Sequence, residues 1–256
     1  MGIDELKDIM AALRERCPWD KKQTRRTLLP YLVEESYELL EALEADDTPA
    51  IREELGDLLF QIVFHARIAE ERGEFTLDDV IADISQKMRR RHPHVFGDAR
   101  CETAEEVLGQ WEERKKEEGK GRSSILEGVP EAMPALLRAH RLQSRAARAG
   151  FDWPHIDGVL GKLEEELGEF REALKKPDDP DAVEDELGDI FFALVNVARF
   201  VDVNPEHALR KTISRFIGRF RHIEERAASA GRTLEDMTLE EMDALWDEAK
   251  LKECGK

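Results

Sequence analysis

A chain of 256 residues with 57 acidic and 39 basic side chains carries a formal net charge of −18. Its 41% of hydrophobic residues suffices for one large core or two small ones. A pI near 4.9 argues against broad, salt-driven nucleic-acid binding and adhesion to anionic membranes, both of which need a basic face.

Apolar residues recur at three and four positions almost throughout, which predicts helices and an all-α fold. The expected helices are 2–16, 25–45, 49–72, 77–91, 104–118, 131–149, 157–175, 181–202, 205–229 and 239–252. In the first, Ile3, Leu6, Ile9, Met10 and Leu13 share one face. It lacks the continuous apolar run of a secretory signal. Cys17-Pro18-Trp19-Asp20 reads as a turn with an anchoring Trp. The longest nearly apolar stretch, Leu58 to Phe64, is far too short to span a bilayer. Cys17, Cys101 and Cys254 are few and far apart, which suits a reducing compartment, so a soluble cytoplasmic protein is expected.

Turn chemistry separates the helices at Asp46-Asp47-Thr48-Pro49, Arg72-Gly73, His92-Pro93-His94, Gly119-Lys120-Gly121 and Lys176-Pro177-Asp178-Asp179-Pro180. The two histidines of His92-Pro93-His94 read either as metal ligands or as a cap. Thr103 with Glu106, and Thr238 with Glu241, form the capping-box pattern.

The chain also repeats itself. Residues 54–67 match residues 186–199 at 8 of 14 positions. Glu34-Glu35-x-x-Glu38 upstream matches Glu165-Glu166-x-x-Glu169. Thr103-x-Glu-Glu with Trp111 and Lys115 matches Thr238-x-Glu-Glu with Trp246 and Lys250. A duplicated helical domain explains this most economically, with copies at 1–122 and 150–256 joined by a linker, 123–149, that holds one basic helix.

Within copy one, Glu35 and Glu38 lie three apart on a helix and share a face. Glu54 and Asp57 do the same on the next helix. The intervening turn centres near Asp47, so an antiparallel hairpin sets residue 38 level with about residue 56. In copy two the same arithmetic brings Glu166 and Glu169 beside Glu186 and Asp189. Four converging carboxylates repel one another, and a divalent cation resolves the conflict. All-oxygen ligands favour Mg²⁺, with Mn²⁺ as a substitute. Asp57 and Asp189 each precede an apolar run, where an unpaired carboxylate is expensive. A di-iron site needs Glu-x-x-His pairs, which neither copy supplies. Gly-rich phosphate loops and nucleophilic triads are also absent.

A metal–phosphate site needs cations for the remaining phosphate oxygens. Lys87 and Arg91 lie four apart in copy one, with Arg215 and Arg219 at the corresponding places in copy two. Lys115 and Lys250 each follow a tryptophan, Trp111 and Trp246, by four residues. These residues read either as phosphate contacts with base stacking, or as dipole-complementing charges beside core tryptophans.

The EExxE…ExxD pattern, together with Cys17-Pro-Trp-Asp20, Arg91-His-Pro-His-Val-Phe96 and Gly150-Phe-Asp-Trp-Pro154, resembles the two-domain MazG nucleoside triphosphate pyrophosphohydrolases over essentially the whole chain. The resemblance implies Mg²⁺-dependent hydrolysis of an NTP or dNTP to the monophosphate and pyrophosphate, by a homodimer. It implies metal ligands at Glu35, Glu38, Glu54 and Asp57, and at Glu166, Glu169, Glu186 and Asp189, with Glu34 and Glu165 as auxiliary carboxylates. Nucleotide contacts fall on Lys87, Arg91, Trp111 and Lys115, and on Arg215, Arg219, Trp246 and Lys250. Copy two departs in having Arg215 where Lys is common, and in lacking the His-Pro-His turn. The rival readings are a pyrophosphohydrolase dedicated to one modified nucleotide or to phosphoribosyl-ATP, and a helical protein that senses Mg²⁺–nucleotide without turnover. Both carboxylate sets are intact, so the sequence leaves open which copy works.

Overall fold

A computed structural model of the chain describes residues 2–97, 99–101, 103, 106–107, 109–110, 124–176 and 179–254. Among them every regular element is helical, and no helix is long and apolar enough to cross a membrane. The chain divides into two compact units, Met1–Lys120 and Gly121–Lys256.

Unit one contains α1 (Ile3–Arg16), a 3₁₀ turn (Asp20–Lys22), α2 (Leu29–Ala45), α3 (Thr48–Glu71), α4 (Leu77–Arg91) and the short α5 (Pro93–Phe96). Helix α2 begins four residues later than periodicity predicts. The reason is local: the Thr24 and Thr27 hydroxyls each accept the other's backbone N–H, at 2.8 and 3.2 Å. That turn competes with helix and stops it from starting earlier.

The α2–α3 reversal follows from three residues. Asp46 takes the left-handed conformation at φ +53°, a cap in which short polar side chains are tolerated. The Asp47 carboxylate then accepts the Ala50 N–H at 3.2 Å, and Pro49 sits in the first turn of α3, where its missing N–H is no loss. The two helices consequently run back along each other as a hairpin. The expected His92-Pro93-His94 turn is instead the start of α5, because Pro93 is favoured at a first helical position.

Met10, Leu28, Val63, Phe64, Ala66, Ile68 and Leu77 form the core of unit one, with Ile3, Leu6 and Phe60 packed on it. Ile9, placed on the same apolar face by its spacing, stays about half exposed. Arg14 ties the Cys17–Asp20 turn to α3. Its guanidinium bonds to Glu71 at 2.6 Å and to the Gln23 carbonyl at 3.0 Å, and lies over the Phe64 ring. The hydrogen bond from Arg14 holds the Glu71 carboxyl below its usual range.

Unit two contains α6 (Ala135–Arg148), α7 (Ile156–Ala173), α8 (Pro180–Phe200), α9 (Pro205–Ser229), a 3₁₀ turn (Leu234–Asp236) and α10 (Leu239–Cys254). Helix α6 starts at residue 135, not 131, since Pro134 is extended at ψ 137° and disfavours helix in the residue before it. The α7–α8 hairpin reuses the α3 start: the Asp179 carboxylate accepts the Ala182 N–H at 3.2 Å, ahead of Pro180 in the first turn. Helix α6 packs on α8 as α1 packs on α3. We propose that this basic helix, assigned by sequence to a linker, is the first helix of the second copy.

Both capping-box patterns show the expected contact from threonine. Thr103 Oγ1 accepts the Glu106 N–H at 3.2 Å. At α10 the exchange is reciprocal, with Thr238 Oγ1 accepting from Glu241 at 3.3 Å and Glu241 Oε2 accepting from Thr238 at 2.9 Å. The helix expected over 104–118 otherwise lies mostly outside the described residues.

Phe64 is 1% exposed at the centre of the first core. Phe64→Ala should therefore destabilise unit one by about 3–5 kcal/mol. Chemical denaturation followed by far-ultraviolet circular dichroism checks this; a loss below about 1 kcal/mol would show that the core closes over the deleted ring.

Candidate functional site

The hairpins bring the predicted carboxylates together, though not as two identical foursomes. In unit one, Glu35 and Glu38 of α2 and Glu54 of α3 offer oxygens that all lie within 4.8 Å of one another. Asp57, one turn further along α3, is close enough to raise the pKa values of Glu35 and Glu54. In unit two the mutually close set is Glu166, Glu186 and Asp189. Here Glu169 is the fourth member and shares a hydrogen bond with Glu166.

Repulsion is legible in the titration behaviour. The Glu35 carboxyl is pushed up by partial burial first, then by the charges of Asp57, Glu38 and Glu54. Glu54 is raised by burial, then by Glu38 and Asp57. Glu169 is raised mainly by its bond to Glu166, which requires a proton between the two carboxyls. One Glu186 oxygen is buried without a hydrogen-bond partner. An all-oxygen donor set with raised pKa values and an orphaned buried oxygen fits a hard divalent cation such as Mg²⁺.

The burial argument for the two aspartates does not hold. Asp57 and Asp189 are exposed. The one buried carboxylate among the eight is Glu166, 6% exposed. Glu34 and Glu165, the expected auxiliary carboxylates, are both exposed.

Two neighbours of these clusters were not singled out by sequence. In unit one Gln61 hydrogen-bonds Glu35. In unit two the Lys162 ammonium lies 2.7 Å from Glu165 and 2.8 Å from Glu166, and those bonds push its pKa up. The signal for Lys162 was present, since Lys162 precedes Glu165 and Glu166 by three and four helical positions. At the offset of the EExxE motif its counterpart in copy one is Tyr31, so the duplication did not mark it.

Beside the second cluster lies a cavity of about 700 Å³. Lys162, Glu166 and Asp189 line one part of it, and Leu142, Trp153 and Phe192 another. Such a volume suits a small organic ligand.

The predicted cations and aromatics gather elsewhere. Arg91 closes the last turn of α4, with Lys87 one turn before it, while Trp111 and Lys115 lie outside the described residues. In unit two, Arg219 lies over the Trp246 ring at 5.3 Å and pairs with Glu253 at 2.6 Å. Lys250 pairs with Asp247 at 2.7 Å, and Arg215 donates to Thr212 at 2.8 Å. The α9–α10 pair thus assembles its own basic and aromatic face, and none of these four residues lines the cavity beside the carboxylates.

A family model described as the MazG nucleotide pyrophosphohydrolase domain matches residues 23–96 and again residues 157–224. A Thermotoga maritima protein named nucleoside triphosphate pyrophosphohydrolase/pyrophosphatase MazG is 46% identical over 251 residues, 97% of this chain and 95% of its own. An Escherichia coli K12 protein named nucleoside triphosphate pyrophosphohydrolase is 44% identical, covering 98% of both chains. A protein of the same name from Mycolicibacterium smegmatis is 34% identical over 92% of this chain and 62% of its own.

A carboxyl whose pKa is raised by folding leaves stability untouched below its ordinary value near 4.5 and costs stability as pH rises through the raised value. In EDTA, Glu54→Gln should therefore raise the thermal midpoint at pH 8 and leave it nearly unchanged at pH 4. A lowered midpoint at pH 8 in differential scanning calorimetry would mean that this carboxylate is held by a bond instead of repelled.

Proposed function

The chain belongs to the MazG nucleotide pyrophosphohydrolase family, and we propose that it hydrolyses NTP or dNTP between the α- and β-phosphates, releasing the monophosphate and pyrophosphate with Mg²⁺ as cofactor. The observation that carries this reading is the acidic cluster on each hairpin, whose oxygens crowd within 4.8 Å. The names of its relatives supply the substrate class.

Glu35, Glu38, Glu54 and Asp57 would hold the cation in copy one, and Glu166, Glu169, Glu186 and Asp189 in copy two. A divalent ion bound there neutralises phosphate charge and lowers the pKa of water. The chain supplies the rest. A glutamate of the cluster accepts the proton as water attacks the α-phosphorus, the bond from that phosphorus to the bridging oxygen breaks, and pyrophosphate leaves. Lys87 and Arg91, with Lys115 outside the described residues, and Arg215, Arg219 and Lys250 in the second copy, are the side chains proposed to meet the charge on phosphate oxygens, which requires Arg219 and Lys250 to exchange their carboxylate partners for the substrate. Arg219 is stacked on Trp246 and pairs with Glu253 at 2.6 Å, a pair that a phosphate would have to displace.

The working unit in this proposal is a homodimer. Leu187, Phe191 and Leu194 make an exposed apolar stripe on α8, and Leu209, Ile213 and Phe216 make another on α9, each between 41% and 55% exposed. Stripes at helical spacing on this scale call for a partner surface.

Incubation with ATP or dUTP and Mg²⁺ should yield monophosphate and pyrophosphate; orthophosphate and diphosphate would overturn the choice of bond. Glu186→Gln is expected to cut turnover by about 100-fold or more and more deeply than Glu54→Gln, since the second cluster opens onto a cavity. Full turnover in the double variant would refute the metal-site assignment.

A further inference from the structure

The two acidic clusters meet positive charge differently. Among the described residues, no lysine or arginine pairs with Glu35, Glu38, Glu54 or Asp57. The groups that act on Glu35 and Glu54 are their acidic neighbours and one neutral amide. In unit two the Lys162 ammonium lies 2.8 Å from Glu166 and 2.7 Å from Glu165. Glu166 is 6% exposed and belongs to the set whose oxygens crowd within 4.8 Å. Tyr31 stands at the position of Lys162 in copy one, edge-on to Trp19 at 5.8 Å, and brings no charge. A cation entering unit one therefore meets carboxylates and a neutral amide. One entering unit two must compete with an ammonium already seated on a buried carboxylate.

The neutral amide is aimed at the first cluster. Gln61 is 7% exposed and hydrogen-bonds Glu35. An ionised carboxylate only accepts, so the Gln61 NH₂ is the donor. Its oxygen is buried without a partner. Because the two amide atoms share one carbon, that orphaned acceptor also sits beside the carboxylates. In copy two Ala193 occupies the corresponding place and offers no acceptor.

We propose that unit one is a resident cation site, held by Glu35, Glu38 and Glu54 with Gln61 as its positioning residue, and that unit two admits its cation only with the phosphates of a substrate, Lys162 standing in for the ion until then. A small divalent ion gives up its hydration water reluctantly and keeps part of it. The Gln61 NH₂ holds Glu35 toward the cluster, and its oxygen is the acceptor for such water. In unit two a polyphosphate changes the balance, since it offers the ammonium a second anion and carries a cation of its own. The resident ion relieves the repulsion that opposes packing of α2 on α3, while arrival of the second is tied to substrate. This division rests on the reading of the chain as a nucleoside triphosphate pyrophosphohydrolase, which supplies the polyanion.

The test is equilibrium dialysis of the full chain against Mn²⁺, in salt that screens its surface charge. Without nucleotide the wild type should retain one ion per chain. Glu54→Gln should lose that ion and Glu186→Gln should keep it. Addition of α,β-methylene-ATP should bring the wild type to two, and Lys162→Met should reach two with no nucleotide present. Gln61→Met should hold the resident ion about 10-fold more weakly, with its thermal midpoint in EDTA no lower than that of the wild type, which separates positioning from a loss of fold. No ion in the wild type, two ions without nucleotide, or an ion lost in Glu186→Gln and kept in Glu54→Gln would each overturn the assignment. A single ion in both Lys162→Met and Lys162→Gln, with circular dichroism confirming that they fold, would overturn the role given to Lys162. Product analysis with ATP on the same wild-type preparation separates the two readings. One resident ion without release of AMP and pyrophosphate would retain the cation assignment and refute the hydrolase reading; hydrolysis by a chain that retains no ion would do the reverse.

Discussion

Mutual repulsion among carboxylates, held in place by a helical hairpin, is the constraint around which each unit is organised. Antiparallel packing of α2 on α3, and of α7 on α8, forces together acidic groups that would separate in a flexible chain. The capping aspartates Asp47 and Asp179, each followed by proline, set the register of that packing. Burial of Met10, Val63 and Phe64 in the core of the unit opposes the repulsion, and the pKa values of Glu35 and Glu54 are raised by partial burial first and by their acidic neighbours second. Positive charge relieves such strain, and in unit two the Lys162 ammonium already does so in part.

The two units answer the same constraint differently. Glu35 is satisfied by a neutral amide, Gln61, whereas Glu166 is held by a cation, Lys162. The change from Gln61 to Ala193 removes the amide and leaves space, and the change from Phe64 to Asn196 makes part of that space polar. The carboxylates recur in both units while the packing around them differs.

Exposed apolar residues show how little each unit can bury alone. Helices α8 and α9 present Phe191, Leu194, Ile213 and Phe216 to solvent, while the buried core residues of unit two are few and mostly small, among them Val159, Ile190, Ala193, Val195 and Ile223. A hairpin has two faces, and a single packing helix such as α6 covers only part of one. In the proposed homodimer a second copy would cover the remainder.

The all-α class, the duplicated hairpins and the eight acidic positions were all legible in the sequence. Periodicity of 3.6, capping aspartates and carboxylates three apart are local features, and local geometry alone aligns them. Helix starts were misjudged where side chains competed with backbone, as at Thr24 and Thr27, and the exposure of Asp57 and Asp189 was missed because burial is a property of the packed unit. The cavity was written in the repeat only as mismatches, Gln61 against Ala193 and Phe64 against Asn196, while the search for function followed matches. Tertiary structure alone decided that these mismatches face one space, that Gln143 from another helix reaches it, and which amide atom is left unpaired. Those outcomes depend on contacts across 49 residues of chain, as in the bond from Gln143 to Phe192, and no local pattern encodes a hydrogen bond between helices.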